Sequence, residues 1–429
     1  MGGSGVEFFS SFASSDDYAD ACGEACAGLM ARAGRGGIDL LMVWMSGDLR
    51  EMADEASREI LSAVSPRRMI GSTAEGLIHG PREYEGVSGV VLLGARLPGV
   101  GVRVFTDESF PVLSDTSGEE ETGRIGEAAG CDGTMRGMLV FADPYSVPMV
   151  RLMPALNASR AKDASGRGVG VIVGGMASGA SGPGVGRLFL DDRVMSRGLV
   201  GVTLSGGVGV EAVVSQGCRG VGPTLVVTRA RGNVILGLGG RPALEVVREV
   251  VEGLPEHDQA RARSGLMMGR VINEYKDRFG RDDFLIRGIV GADQTSGAVA
   301  IGDLVRVGQT VRLHVRDATT ASEDLGLLMD GQRMKSKPAG VMMVTCNGRG
   351  GRFFPVANHD AGKVAGALGT TRPAEEVAKG GRAMGVTAGA EDVPMGGFFA
   401  AGEIGPVGGE SYVHGQSACV VLFRRPGEV

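Results

Sequence analysis

A sequence pattern that recurs three times in this chain constrains its fold more than any other feature. Each copy contains an apolar strand, a helix, a loop rich in glycine and a further strand. The three loops align with one another, at Ile70–Gly76, Gly174–Gly179 and Phe399–Gly405. Repeats of one supersecondary unit bury their apolar faces against each other, so we expect an α/β protein of repeated strand–helix–glycine loop–strand units with sheets covered by helices. We expect α–β–β–α layers, with the glycine loops meeting where the sheets meet.

Glycine is unusually frequent, since 74 of the 429 residues are glycine, against ~7% in an average protein. These glycines follow no collagen period and lie beside β-branched runs, which favours many tight turns. They are densest in Gly396–Gly415, together with two phenylalanines, two glutamates, a proline and a histidine. The apolar run that follows, Gln416–Phe423, is typical of a strand.

The clearest helix is predicted over Ser14–Ala33, where small and apolar residues recur at spacings of three and four. Ser14 or Ser15 is the predicted N-cap, because a hydroxyl can accept from the first free backbone N–H groups. Cys22 and Cys26 share the apolar stripe of this helix. We therefore expect them to be packed thiols rather than metal ligands.

Charge and hydropathy exclude several classes of partner. The net charge is −6 and the two signs are interspersed, so no basic stripe predicts nucleic-acid binding. The apolar runs are far shorter than the ~20 residues of a membrane-spanning helix, so no membrane is expected. The N-terminus lacks the regions of a secretory signal, and six scattered cysteines are typical of reduced thiols. We therefore expect a cytoplasmic protein.

A change of pattern near Arg241 predicts a domain boundary, because a proline directly after it begins a helix with its apolar residues on one face. The sequence therefore predicts two domains, residues 1–241 and residues 242–429. Within the second, His257–Ser264 is polar, and we expect it to be a linker.

The motifs of these repeats resemble those of the FIST family (F-box and intracellular signal transduction proteins), with its N and C domains in tandem. The resemblance covers nearly the whole chain, and the seven motifs occur in the family's order. They are GSTAEG at Gly71–Gly76, GGMASG at Gly174–Gly179, SQGCRGVGP at Ser215–Pro223, GRPALEV at Gly240–Val246, GDLVRVGQTVRLHVRDA at Gly302–Ala318, CNGRGGRFF at Cys346–Phe354, and GFFAAGEIGPVGG through HG at Gly397–Gly415.

The resemblance implies a cytosolic sensory module that binds a small ligand, for which amino acids are proposed in this family. Some members carry an F-box and act as substrate receptors of ubiquitin ligases. The segment before Gly36 is too short for an F-box, and no kinase, cyclase or receptor domain is apparent. The signal is therefore expected to pass to a separate signalling protein.

A ligand site is the sharpest expectation from the residues themselves. Glycine-rich turns expose backbone N–H groups that can hold a carboxylate, and the Arg349 guanidinium can grip a carboxylate with two hydrogen bonds. Glu403 can accept from an ammonium group, so an amino-acid-like zwitterion fits. The predicted ligand-binding residues are Asn347, Gly348, Arg349, Gly350, Glu403, His414, Ser72, Thr73 and Glu75.

Three alternatives stay open. Arg349 and Glu403 can form a salt bridge with each other that merely holds the loops together. The common enzyme motifs are missing, which favours a non-enzymatic function, but Cys346 or a loop hydroxyl, with His359 or His414 nearby, would suit a hydrolase or transferase. A protein-interaction adaptor, as the F-box relatives imply, is the third. No metal or cofactor is predicted.

Overall fold

The computed structural model describes residues 5–113, 118–369 and 392–427. The chain forms two compact units, and it leaves the first unit twice to build the second, first with a long segment and then with three residues. The first unit comprises Met1–Ser215, Leu325–Val413 and Ser417–Val429, and the second comprises Gln216–Asp324 and His414–Gln416. The division of the chain into domains at residue 241 remains a prediction.

Three repeats of one strand and helix order build the first unit. The first repeat contains β1 (Glu7–Ala13), α1 (Tyr18–Ala33), β2 (Leu40–Ser46), α2 (Ala53–Val64), β3 (Met69–Ala74), β4 (Gly76–His79), β5 (Arg82–Glu85) and β6 (Val90–Arg96). The second contains β7 (Val100–Thr106), α3 (Glu119–Ala129), β8 (Met135–Ala142), α4 (Met149–Ser159), β9 (Val171–Met176), β10 (Leu188–Leu190), β11 (Arg193–Met195) and β12 (Leu199–Gly206).

The third repeat begins with a strand and resumes after the second unit. Its first strand and the elements of the second unit are β13 (Gly209–Gln216), β14 (Cys218–Arg231), β15 (Val234–Leu238), β16 (Arg241–Pro242), α5 (Ala243–Glu252), α6 (Glu256–Ser264), β17 (Leu266–Val271), β18 (Phe284–Asp293), β19 (Ala298–Ile301) and β20 (Thr310–Arg316). The chain then continues through α7 (Ala318–Arg333), β21 (Gly340–Cys346), α8 (His359–Ala367), β22 (Met395–Ala400), β23 (Glu403–Val407), β24 (Glu410–His414) and β25 (Ser417–Arg424).

The three repeats form three six-stranded sheets of identical plan, which confirms the predicted α/β fold of repeated units. In each sheet two parallel strands lie next to each other, joined by a helix, and a hairpin from another repeat covers one edge. The strand orders are β1-β6-β2-β3-β10-β11, β7-β12-β8-β9-β23-β24 and β13-β25-β21-β22-β4-β5. The hairpins therefore pass in a circle, from the first repeat to the third, the third to the second and the second to the first.

One apolar core lies between the inner faces of the three sheets, and helices cover each outer face. Trp44, Phe141 and Phe398 each come from a different sheet. Their ring centroids lie 6.0 Å (Trp44 to Phe141), 5.9 Å (Trp44 to Phe398) and 5.7 Å (Phe141 to Phe398) apart. The α–β–β–α layering of two sheets remains a prediction, since three sheets share this core.

A glycine at the same position of each repeat lets the two parallel strands pair closely. A Cβ atom on Gly71, Gly174 or Gly397 would lie 2.0, 2.0 or 1.8 Å from a carbonyl oxygen of the neighbouring strand. These three residues pair with Val43, Val140 and Met343, respectively. The glycine therefore marks equivalent positions in the three repeats.

The second unit is an antiparallel barrel. Strands β14, β20, β17, β18, β19 and β15 pair in that order, and β14 also pairs with β15, which closes the ring. Its apolar interior includes residues of α5. The described residues contain no helix with both the length and the apolar character that a membrane crossing requires.

Two local expectations are wrong. The N-cap of α1 is Asp17, whose Oδ1 accepts from the N–H groups of Ala19 at 2.8 Å and Asp20 at 3.3 Å, so neither Ser14 nor Ser15 caps the helix.

The expected linker His257–Ser264 lies within α6. Asp258 of α6 is 5% exposed, and its Oδ1 contacts Arg219 at 2.5 Å and Arg261 at 3.2 Å. These ion pairs anchor a helix whose composition is otherwise polar.

Candidate functional site

The three glycine loops meet at the side chain of Ser178, as expected from the repeats. The Ser178 N–H donates to the carbonyl oxygen of Thr73 at 3.3 Å, and its Oγ accepts from the N–H of Glu75 at 2.7 Å. The same hydroxyl donates to the carbonyl oxygen of Phe399. One residue of the second repeat therefore connects the loops of all three.

Strand pairing identifies which residues of the three repeats are equivalent. In each exchanged hairpin, one residue pairs with the residue directly after the repeated glycine of the neighbouring strand. The three pairs are Leu77 with Phe398, Leu188 with Ser72, and Glu403 with Gly175. Two repeats thus place a buried leucine where the third places a glutamate. By the same registers, Ser417 is equivalent to Gly89 and Gly198, and Cys346 is equivalent to Ser46 and Asp143.

Glu403 is completely buried. Its Oε2 accepts from the Ser417 N–H at 3.1 Å and from the Ser417 hydroxyl at 2.6 Å. Its Oε1 has no hydrogen-bond partner of normal geometry among the described residues. Burial raises the pKa of Glu403 to about 8, although the Ser417 hydrogen bonds, the Arg349 charge and the Cys346 thiol all act to lower it. The carboxyl is therefore mostly protonated at neutral pH.

Arg349 forms a buried ion pair with Asp360, and the Glu403 charge also acts on its guanidinium, so the alternative of an Arg349–Glu403 salt bridge stays open. Its Nε and Nη2 donate to the two carboxylate oxygens of Asp360 at 2.6 and 2.9 Å, and both side chains are buried. Burial alone would raise the pKa of Asp360, but the guanidinium holds it well below its ordinary value. Arg349 therefore makes two hydrogen bonds to a carboxylate of the protein itself, where the sequence predicted a carboxylate of the ligand.

Cys346 ends β21 beside this ion pair. It is 5% exposed, forms no disulfide and accepts a hydrogen bond from the Gly348 N–H at 3.4 Å. The charges of Arg349 and the Cys346 thiol influence each other, and the thiol also acts on the Glu403 carboxyl. Thiol, guanidinium and carboxyl thus form one buried cluster.

A polar rim surrounds the cluster towards the surface. Glu75 accepts from the Asn347 side chain at 3.1 Å and pairs with Arg352 at 2.6 Å. Asn347 also donates its N–H to the carbonyl oxygen of Ala400 at 2.9 Å. The predicted residues Glu75 and Asn347, from the first and third repeats, therefore lie in direct contact.

Strand β5 of the first repeat supplies two glutamates to the same end of the third. Glu85 accepts from the Gly351 N–H at 2.7 Å, and a Cβ on Gly350, where φ is +62°, would lie 2.5 Å from its carboxylate. Glu83 accepts from the Ala361 N–H at 2.8 Å, in the first turn of α8. Burial raises the pKa of Glu83 to about 7. Backbone N–H groups of this loop and helix are thus bound by the protein's own carboxylates.

The remaining predicted residues have a variety of surroundings. The Thr73 hydroxyl accepts from the Arg187 N–H at 3.0 Å, and Ser72 is buried with an Oγ that has no hydrogen-bond partner among the described residues. His414 is buried and belongs to the second unit. His359 contacts Asp360 through Nδ1 at 2.9 Å and stacks on Phe354 with ring centroids 3.6 Å apart.

Sequence reasoning missed Asp360, Glu83, Glu85 and Ser178 as partners of the predicted residues. The first three come from a helix terminus and a short strand whose positions depend on the exchanged hairpin. The alignment of the glycine loops was the signal for Ser178, since it lies within one of them. No cluster of His, Cys, Asp and Glu suited to a metal ion occurs in the described part of the chain.

Comparison with known proteins gives matches along most of the chain. A sequence model of the FIST N domain matches residues 39–241, and one of the FIST C domain matches residues 243–406. An uncharacterized protein of Mycobacterium tuberculosis is 36% identical over 410 residues, which cover 95% of this chain and 97% of that protein. An uncharacterized protein of Mycobacterium bovis is 37% identical over 376 residues, which cover 87% of each chain.

Proposed function

The chain belongs to the FIST family, and we propose that it is a cytoplasmic sensory module that binds a small amino-acid-like ligand at the end of the third repeat. FIST domains are sensory domains associated with signal transduction. The site, the ligand class and the location in the cell are the parts that we propose.

The observation that carries the proposal is Glu403. A buried carboxyl with an unpartnered oxygen is costly to the fold, and the other two repeats avoid that cost with leucine. A ligand ammonium group that donates to Oε1 would give this oxygen its partner. The positive charge of the ligand would also favour the ionised carboxyl, so binding would release the proton that Glu403 holds at neutral pH.

The remaining predicted residues supply the rest of the proposed site. Asn347 and Gly348 lie between the buried cluster and the surface, both half-buried. Arg349 contributes its charge, although Asp360 occupies two of its N–H groups. The exposed guanidinium of Arg352, which pairs with Glu75, is the donor proposed for the ligand carboxylate. The proposed roles of Gly350, His414, Ser72, Thr73 and Glu75 remain predictions.

The proposed output is a change of conformational equilibrium that a separate signalling protein recognises. Such a change requires only that the ligand bind one conformation more tightly than the other. A protein-interaction adaptor without a ligand is the competing function, and the experiment below separates the two.

The test is an unfolding screen of the full chain with amino acids and related amines. At about 100 times its dissociation constant, a ligand should stabilise the protein by roughly 2.7 kcal/mol. The stabilisation should vanish in Glu403→Gln and persist in Glu108→Gln, a matched change at an exposed carboxylate paired with Arg193. Calorimetric titration in buffers of different ionisation enthalpy should show about one proton released per ligand at pH 7. A ligand that binds Glu403→Gln equally well would contradict the site, and the absence of any ligand would favour the adaptor.

A further inference from the structure

The six cysteines of the chain are in unlike environments. Burial raises the pKa of Cys22 and Cys26 to about 12, with a further rise from the nearby Glu59 charge. Burial also raises the pKa of Cys131 and Cys419. Such thiols hold their protons at neutral pH, and the thiolate is the reactive form. These four cysteines are therefore suited to packing and not to chemistry.

Two neighbours of Cys346 favour its thiolate form, and the protonated thiol donates to Asn347 Oδ1 at 3.8 Å. The Gly348 N–H donates to its sulfur at 3.4 Å, and the guanidinium of Arg349 acts on it through charge. Hydrogen-bond donors and a positive charge stabilise an anionic sulfur. A further neighbour, the carboxyl of Glu403, offers a place for the proton.

The carboxyl is fitted to that task by its geometry. Ser417 fixes Oε2 through two hydrogen bonds, and Oε1 is buried without a partner of normal geometry among the described residues. A raised pKa lets such a carboxyl hold a proton at neutral pH and return it later. The equivalent positions of the other repeats hold leucine, so this acceptor exists only beside Cys346.

We propose that Cys346 is a peroxide-reactive thiol, with Glu403 as its proton acceptor and donor. The substrate class is hydrogen peroxide or a small hydroperoxide, because Cys346 is only 5% exposed and the two residues after it, Asn347 and Gly348, are half-buried. This activity uses the same Glu403 carboxyl as the ligand proposed above, but it can be measured without the ligand, and it adds an oxidative input to the same repeat.

The chemistry is a two-electron oxidation of sulfur. In the fraction of the protein in which Glu403 is ionised, the thiol proton passes to its carboxylate, and the thiolate attacks one peroxide oxygen, so that an S–O bond forms and the O–O bond breaks. The leaving oxygen takes the proton from Glu403 and departs as water or an alcohol. Sulfur is oxidised to the sulfenic acid and the peroxide is reduced.

The experiment is time-resolved labelling of the intact, full-length protein during exposure to hydrogen peroxide at pH 7. Dimedone traps sulfenic acids, and peptide mass spectrometry reports the modified fraction at each cysteine. We expect Cys346 to react about tenfold or more faster than Cys22 and Cys26, which serve as reference thiols in the same molecule. Glu403→Gln should slow the reaction of Cys346 by about tenfold or more, since the amide cannot relay the proton.

Ser417→Ala is the second variant, because it removes one hydrogen bond from Oε2 and leaves both reacting groups in place. Ser417→Ala should reduce the rate of Cys346 oxidation by less than Glu403→Gln does. If Cys346 reacts no faster than Cys22 in the unmodified chain, the proposal is overturned whether or not the variants fold. An unchanged rate in folded Glu403→Gln would overturn the role of the carboxyl. Neither result depends on ligand binding, so the two proposals fail separately.

Discussion

The end of the third repeat and the equivalent ends of the first two repeats share a backbone and differ in chemistry. The first two repeats have a leucine and a glycine at the positions where the third has a glutamate and a serine, and in the third these two side chains are hydrogen-bonded. The equivalent sets are Ser46, Leu77 and Gly89 in the first repeat, Asp143, Leu188 and Gly198 in the second, and Cys346, Glu403 and Ser417 in the third.

The comparison teaches that the fold does not need Glu403. Two copies of the same crossing form with leucine at this position, and leucine contributes to the central core. Replacement of buried ionisable groups by apolar residues of similar size is often neutral or stabilising. A buried glutamate at this position therefore lowers the stability of the protein without a benefit to the fold. We propose that a function of the site explains its presence.

The largest effect expected is from Arg349→Ala, which tests whether the polar end depends on its internal ion pair. The variant leaves Asp360 buried without its guanidinium, which should cost about 3–5 kcal/mol of unfolding free energy. Urea unfolding measures the loss. Arg352→Ala is the matched control, since its ion pair with Glu75 is at the surface and should be worth ~1 kcal/mol or less. If Arg349→Ala lowers the free energy of unfolding as little as Arg352→Ala does, the ion pair with Asp360 does not stabilise this end of the repeat.

The second prediction concerns pH. Because the pKa of Glu403 is raised in the folded protein, the folded state holds a proton that the unfolded state releases above its ordinary pKa. The free energy of unfolding should therefore fall as the pH rises from about 5 to 8, by up to about 4 kcal/mol from this group.

Glu403→Gln removes this contribution, so the difference in stability between variant and wild type should grow across the window. Unfolding curves of both proteins at pH 5, 6, 7 and 8 measure it, and contributions of other groups cancel in the difference. A difference that is independent of pH would show that Glu403 titrates normally.

The smallest effects test the equivalence of the repeats themselves. Gly71→Ala, Gly174→Ala and Gly397→Ala each force a methyl group against a carbonyl of the parallel neighbour, and each should cost about 1–3 kcal/mol. Gly123→Ala in α3 is the control, because no atom lies within 4 Å of the added methyl group and helix propensity should give a gain of up to ~1 kcal/mol. If thermal unfolding shows one of the three glycines to tolerate alanine, the registers of the three strand pairs are not equivalent.

Much of the fold was accessible from the sequence because each repeat carries local signals. Apolar runs such as Gly340–Cys346 predicted buried strands, and the aligned glycine loops predicted that the repeats meet. The exchange of hairpins was not accessible, since β4 and β23 look like continuations of the preceding strand and β10 is a very short strand after a long loop. A change of sheet at Glu75 or Gly402 depends on tertiary pairing that no local pattern encodes.

The candidate site was predicted in part for the same reason. Asn347, Arg349 and Glu403 stand out because charged or amide side chains lie among glycines. Asp360 does not, because an aspartate in the first turn of a helix is ordinary. Its role as the partner of Arg349 follows from the position of α8 against the loop, which the sequence leaves undetermined.

The circular exchange of hairpins has a consequence for how such a unit can be assembled. A heterologous contact that returns to its start after three steps is the geometry of a closed trimeric ring. Three separate copies of one short chain, each lending a hairpin to its neighbour, would satisfy the same strand pairings. This unit has the architecture of a domain-swapped trimer in which the three subunits are joined into one polypeptide, and joining them allows a single subunit to acquire Glu403 while the other two keep their leucines.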